Sequence, residues 1–258
     1  MDKQQLNLGF NYSTMKLKVI NSNSKGNAYI LNSKSSTLLI ECGMPFKVIK
    51  EALDYDVMNI DACLVTHEHQ DHCKSIKELA KAGVPIIASP GTKEACEISG
   101  DGFTIKHGQK DTICKWQITA FNVEHDAKEP LGFIIEYPEC GTILFVTDTY
   151  ILKYDFNIKF DHVIIEANYC EELRDKWIEK QGKDIVESRR FNSHMSFQTA
   201  MLTLERLDLS QCKNIVFIHL SDGLTNEKRF AKESQERFGI KTTVAGPEVE
   251  IDFKLTPF

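Results

Sequence analysis

Short apolar runs recur along the chain, and several of them stop on a histidine or a carboxylate. Lys16 to Ile20, Ala28 to Leu31 and Ser36 to Glu41 read as strands, with the turn-rich run Asn21–Asn27 expected as a loop between the first two. Phe46, Val48, Ile49, Ala52 and Leu53 supply one face of a helix expected over 45–55. Ala62 to Thr66 is a short buried strand, and Ile76, Leu79 and Ala80 mark an amphipathic helix that stops at Gly83. Val84 to Ala88 is strand-like, and Pro90-Gly91 opens a further helix at the position where proline is tolerated.

From about Ile113 the period becomes that of strands: Trp116 to Val123, Leu131 to Tyr137, Thr142 to Thr147 and Asp161 to Glu166. Ser196 caps a helix in which Phe197, Ala200, Met201, Leu204 and Leu207 share a face. Asn214 to His219 reads as a strand, Thr225 to Phe238 as a helix, and Val244 to Phe253 closes with β-character. Two groups of strands, each followed by helices, suit an α/β protein in which two sheets pack face to face with helices outside, and periodicity by itself also permits other α/β layouts. Residues 1–14 lack periodicity and are expected to form an N-terminal extension to a single domain over 15–258. No repeat, low-complexity tract or linker interrupts the pattern.

The stretch 62–72, Ala-Cys-Leu-Val-Thr-His-Glu-His-Gln-Asp-His, concentrates the chemistry. Three of the eight histidines fall within positions 67–72, where the buried strand must end. An extended backbone puts His67 and His69 on one side, and the Asp71-His72 step turns toward a second point. Imidazole and carboxylate are ligands for zinc, manganese or iron. A polar loop that happens to be His-rich is the plainer reading, but unligated groups beside a buried strand end carry a desolvation cost. His125, Asp148 and His219 each follow a further apolar strand, so four strand ends carry groups of one kind. Any one of them could be a turn residue, whereas their coincidence predicts one pocket.

Composition changes the picture little. The 258 residues are 42% hydrophobic and 26% charged, ordinary for a globular domain. A formal net charge of −6 argues against a surface that coats nucleic acid, although bound divalent cations would make the site itself positive. No segment approaches the ~18 apolar residues of a membrane span, and the start lacks a basic-then-apolar leader, so a cytoplasmic protein is expected. The eight cysteines are dispersed without a C-x-x-C pair and are expected to be reduced, with Cys73 packing at a helix start.

His-x-His-x-Asp-His after an apolar strand resembles the signature of the metallo-β-lactamase superfamily. The resemblance implies an αββα sandwich, with His67, His69 and His125 on one metal, Asp71, His72 and His219 on a second, and Asp148 bridging. It implies two divalent cations, Zn2+ or Mn2+, sharing a hydroxide for hydrolysis, with Asp71 also placed in the catalytic set. Glu166 and His194 are similar to the glutamate and histidine of tRNase Z-like phosphodiesterases, where the carboxylate orients the imidazole as a further catalytic pair.

The nearest resemblance is to the YycJ/WalJ-like branch. It rests on Asn21–Asn27, Leu38-Leu39-Ile40-Glu41-Cys42-Gly43, His125-Asp126-Ala127, Thr147-Asp148, Glu166-Ala167-Asn168, His194-Met195-Ser196 and His219-Leu220-Ser221. Glu41 stands where that branch has Asp, Ser193 where it has Gly, and Lys25 lies in its small-residue loop. With 45 residues between Asp148 and His194, there is no room for a β-CASP insert.

The branch implies a phosphodiesterase acting 5′ to 3′ on DNA ends. A small cyclic nucleotide is the alternative substrate, with a lactone or thioester hydrolase or a non-catalytic metal-binding protein behind it. Ser24, Asn27, Asn168, Arg189 and Arg190 are the expected substrate contacts, although residues 171–190 also read as a solvated mixed-charge helix. Relatives acting on phosphodiesters are often homodimers, so a homodimer is one assembly the resemblance allows, although the sequence does not fix the oligomeric state, and no membrane partner is expected.

Overall fold

The computed structural model describes residues 15–99, 103–181 and 191–255. The extension expected over 1–14, and Arg189 and Arg190, lie outside them. The first sheet has the order β13-β1-β2-β3-β4-β5, built from β1 (Lys16–Asn23), β2 (Gly26–Asn32), β3 (Thr37–Ile40), β4 (Ala62–Leu64), β5 (Ile86–Ile87) and β13 (Glu250–Asp252). The second has the order β12-β11-β10-β9-β8-β7-β6, from β6 (Lys110–Ile113), β7 (Trp116–Asn122), β8 (Leu131–Tyr137), β9 (Gly141–Val146), β10 (His162–Glu166), β11 (Asn214–Ile218) and β12 (Lys241–Val244). Each sheet is mixed. Pairing is antiparallel from β13 through β3 and parallel from β3 to β5; it is antiparallel from β6 through β9 and parallel from β9 to β12.

Alternation along the buried strands builds the four layers. Leu38 and Ile40 join Phe133, Phe145 and Ile164 in the core between the sheets, while Leu39 faces the opposite way with Cys63, Ile49, Ile76 and Leu79. In β10, Ile164 points inward and Val163 and Ile165 outward, onto Phe197, Leu204 and Phe230. Helices α1 (Phe46–Ala52), α2 (Gln70–Cys73), α3 (Ile76–Lys81) and α4 (Pro90–Ala95) follow strands of the first sheet. Helices α5 (Glu171–Gln181), α6 (Phe197–Arg206) and α7 (Glu227–Phe238) follow strands of the second. The α6 face of Phe197, Ala200, Thr203 and Leu204 is buried as its spacing requires, and Phe197 stacks on Phe230 of α7 at 4.0 Å.

Two expectations change. The run Asn21–Asn27 is not a loop: β1 continues to Asn23 and turns into β2 through Ser24 and Lys25. Its polar residues tolerate the strand because they bond one another, as Asn21 Nδ2 donates to Gly26 O and Ser22 Oγ lies 2.7 Å from Tyr29 Oη. The closing run Val244 to Phe253 is not one strand either. β12 pairs with β11 in the second sheet and β13 with β1 in the first, so the chain end crosses between layers.

A candidate dinuclear metal centre

The C-terminal ends of parallel strands are where groups converge in open α/β sheets, and the histidines and carboxylates lie there. β4 delivers His67; His69 then caps the single turn α2, which carries Asp71 and His72, and the His72 ring packs 4.3 Å from that of His67. That turn is pressed against Gly43, where a β-carbon would sit 1.7 Å from Asp71 O. Cys42 N donates to His72 O at 2.8 Å and completes the contact. His125 follows β7, Asp148 follows β9, Glu166 ends β10 and His219 follows β11. Asp148 and His219 take left-handed backbone angles, φ 43° and 55°, as does Glu41 at 62°. Such angles cost ~1–3 kcal/mol each in a residue other than glycine and persist only where surrounding contacts hold them.

The ligand-type atoms form three overlapping groups, each within 4.8 Å: His67, His69, His125 and Asp148; Asp71, His72 and His219; and Asp148, Glu166, His194 and His219. Asp148 Oδ2 is 3.7 Å from His67 Nε2, 3.5 Å from His125 Nε2 and 3.3 Å from His72 Nε2, so one oxygen faces both His sets. Asp71 Oδ2 lies 3.3 Å from His219 Nε2. His125 Nδ1 donates to Ser193 O at 3.0 Å, which leaves Nε2 turned to His69 Nδ1 at 3.1 Å.

Supporting groups orient these rings. Glu41, fully buried, accepts from Thr66 Oγ1 at 2.5 Å and stands 3.5 Å from His72 Nδ1. Thr66 Oγ1 is in turn 2.9 Å from His67 Nδ1. Glu166 Oε1 takes His194 Nδ1 at 2.7 Å and His219 Nδ1 at 2.9 Å, and its Oε2 accepts the Thr149 and Met195 amides. Partners of this kind fix ring tautomer and orientation in metal sites.

The electrostatics divide the histidines. Burial holds His67 and His125 below the usual imidazole range. Burial also opposes charge on His72, His219 and His194, but nearby carboxylates outweigh it. Asp148 and Glu41 push His72 up, Asp148 with Asp71 and Glu166 takes His219 to about 10, and Glu166 with Asp148 raises His194. Asp148 and Asp71 are driven below the carboxylate range against their burial, Asp148 by His219 and His72, Asp71 by hydrogen bonds from His219 and His72.

His67 Nε2 tests whether this chain suits a cation. It is buried, faces the cluster, and has no hydrogen-bond partner among the described residues. An orphaned buried acceptor costs ~1–3 kcal/mol, which a bound cation would remove. With imidazoles and carboxylates as the donor set, the buried clusters are consistent with a dinuclear metal site.

Of the substrate contacts expected from the sequence, Ser24, Asn27 and Asn168 lie among the described residues. Ser24 is exposed at the β1–β2 hairpin tip. Asn27 and Asn168 are buried beneath the ligand loops, where Asn27 Nδ2 donates to Asp71 O and Asn168 Nδ2 to His219 O. Cys73 is buried with its Sγ directed at Glu68 O, a packing role. Thr66 and Thr149 were not picked out from the sequence. The only signal was their place beside His67 and Asp148.

The profile of the Beta-lactamase superfamily domain matches residues 37–220. Exodeoxyribonuclease WalJ of Streptococcus pneumoniae is 28% identical over 180 residues, 64% of this chain and 65% of the relative. Exodeoxyribonuclease YycJ of Bacillus anthracis is 30% identical over 142 residues, 51% of this chain and 53% of the relative. The matches thus span between half and two thirds of these relatives' length. Among solved structures, YhfI of Bacillus subtilis, a metallo-beta-lactamase fold protein, has TM-score 0.71 at 18% identity and covers 92% of this chain and 98% of its own. The short form of human tRNase Z has TM-score 0.64 at 16% identity, covering 93% and 99%. Among the described residues no helix is long and apolar enough to cross a membrane.

Proposed function

This chain belongs to the metallo-β-lactamase superfamily, and from that membership we propose that it is a metal-dependent phosphodiesterase that removes nucleotides from DNA ends in the 5′-to-3′ direction. The observation that carries the phosphodiesterase reading is the Glu166–His194 pair, 2.7 Å apart beside Asp148. An ionised carboxylate only accepts, so His194 Nδ1 donates to Glu166, and Nε2 is left as the atom that can pass a proton to a leaving oxygen. The DNA end as substrate is supported by the names of the exodeoxyribonuclease relatives.

His67, His69, His125 and Asp148 would hold one divalent cation, and Asp71, His72, His219 and Asp148 the other. Zn2+ or Mn2+ in these places would supply Lewis-acid polarisation of a phosphoryl oxygen and an acidified water. The protein's own part is positional. Glu166 locks His194, and the Asp148 side chain spans the two ligand sets.

The test is hydrolysis of 5′-phosphorylated duplex DNA and a panel of cyclic nucleotides with Mn2+ or Zn2+, products read by mass, with Asp71→Ala as the control for contaminants. Mononucleotides should appear. His194→Ala should cut their release ~10²–10⁴-fold with metal content unchanged. Linearised cyclic nucleotides beside intact DNA would replace the exonuclease reading with a small-nucleotide phosphodiesterase. An active His194→Ala enzyme would remove the proton-donor role.

A further inference from the structure

Beneath the ligands, a buried hydrogen-bonded chain joins two loops that belong to different sheets. His219 N donates to Ser22 Oγ at 2.8 Å. Ser22 Oγ lies 2.7 Å from Tyr29 Oη, and Tyr29 Oη donates to Asn27 Oδ1 at 3.2 Å. A phenol has one proton, so with that proton on Asn27 the Ser22 hydroxyl must donate to Tyr29. Every polarity along the chain is then assigned. Asn27, its carbonyl oxygen engaged, turns Nδ2 to Asp71 O at 3.3 Å, Asn23 O at 3.2 Å and the ring nitrogen His72 Nε2 at 3.2 Å. Ser22, Tyr29 and Asn27 are all buried, with Tyr29 fully enclosed.

The two ends of this chain are the backbones of Asp71 and His219, whose side chains meet 3.3 Å apart above it. His219 sits at φ 55°, a conformation that needs holding. Ser22 holds its N–H and Asn168 Nδ2 its carbonyl, at 2.8 Å each. The β1–β2 hairpin therefore sets the distance between a ligand loop of the first sheet and one of the second.

We infer that Tyr29 is a positioning residue for the Asp71–His72–His219 ligand set, acting through Ser22 on His219 and through Asn27 on Asp71. The His67–His69–His125 set meets this chain only at second hand, through Asp148 and through Glu41, which faces His72 and holds Thr66 beside His67, so loss of the phenol should be felt more at one cation than at the other. The inference rests on the dinuclear reading of the site.

The experiment is calorimetric titration of metal-free protein with Co2+, followed also by the visible absorption of the bound ion. Tyr29→Phe removes a single oxygen and keeps the ring that packs edge-on against Phe145 at 5.6 Å. Two equivalents should bind the natural protein. In Tyr29→Phe one equivalent should keep its affinity and the other should weaken ~10–100-fold, with a changed spectrum for the weakened ion alone. Ser22→Ala should do the same, and the Ser22→Ala/Tyr29→Phe pair should be no worse than either, since both break one chain. Tyr137→Phe, which alters a buried tyrosine tilted by 30° against Trp116 at 4.1 Å, is the control and should leave both affinities unchanged. Equal affinities in Tyr29→Phe, equal weakening of both sites, or the same loss in Tyr137→Phe would each overturn the inference. Fewer than two equivalents on the natural protein would overturn the dinuclear reading itself and this inference with it.

Discussion

Glu41, which the sequence resemblance sets against an aspartate, uses its full length in the structure. From a left-handed backbone, φ 62°, the carboxylate reaches Thr66 Oγ1 and comes within 3.5 Å of His72 Nδ1. One side chain thereby supports His72 directly and His67 through Thr66. Shortening it by one methylene, roughly 1.5 Å, should leave both out of reach. Glu41→Asp is expected to lower metal affinity ~10–100-fold, measured by competition with a coloured chelator. Unchanged affinity would mean that the backbone closes the gap. The sequence showed that Glu41 was unusual. Which groups it meets depended on φ at 41 and on the path of β4, which no local pattern encodes.

At the scale of elements, the strand ends carry the site, and the opposite end of β10 carries a different dependence. His162 is fully buried, stacks on Phe253 at 4.0 Å, and lies 3.0 Å from Asn214 Nδ2. Burial holds its pKa down at about 3, against ~6.5 when unfolded. Between those values the unfolded chain binds a proton that the folded chain refuses, so stability is present above about 6.5 and is lost as pH falls toward 3. The slope is up to ~1.4 kcal/mol per pH unit. In urea unfolding at pH 7 and pH 4.5, His162→Phe should lose about 2–3 kcal/mol less than the natural protein on acidification. Equal losses would show that His162 takes up its proton in the folded state. The hairpin gives the same lesson about elements: Asn21–Asn27 has a loop's composition, but Asn21 and Ser22 find partners within the hairpin and let β1 continue.

For the whole molecule, the site is a seam. His67, His69, Asp71 and His72 come from the first sheet, and His125, Asp148 and His219 from the second. Cations bound across it should stabilise the packing of one sheet on the other. At about 100 times the dissociation constant this amounts to ~2.7 kcal/mol per site, so emptying both sites by chelation should lower Tm by roughly 10–20 °C for a chain of this size. Differential scanning calorimetry with and without EDTA, followed by re-addition of Mn2+ or Zn2+, checks it. A Tm indifferent to chelation would mean that the seam holds without metal.

The resemblance implied the sandwich layout, whereas the sequence pattern alone was enough for the α/β class and for the set of His and Asp residues at strand ends. Both follow from local rules: alternation sets which residues are buried, and a ligand placed just past an apolar run must lie at a strand terminus. It did not determine the partition of the last strands between two sheets, because β12 and β13 differ in their partners and not in their periodicity. Nor did it separate the residues that face the site from those that hold it. Asn27 looked like a substrate contact, and tertiary packing put it beneath Asp71. Hydrogen-bond partners far apart in the chain, such as Ser22 and His219, are chosen by how the two sheets meet. That choice is a property of the packed core as a whole, since each sheet's position is set by all the side chains between them.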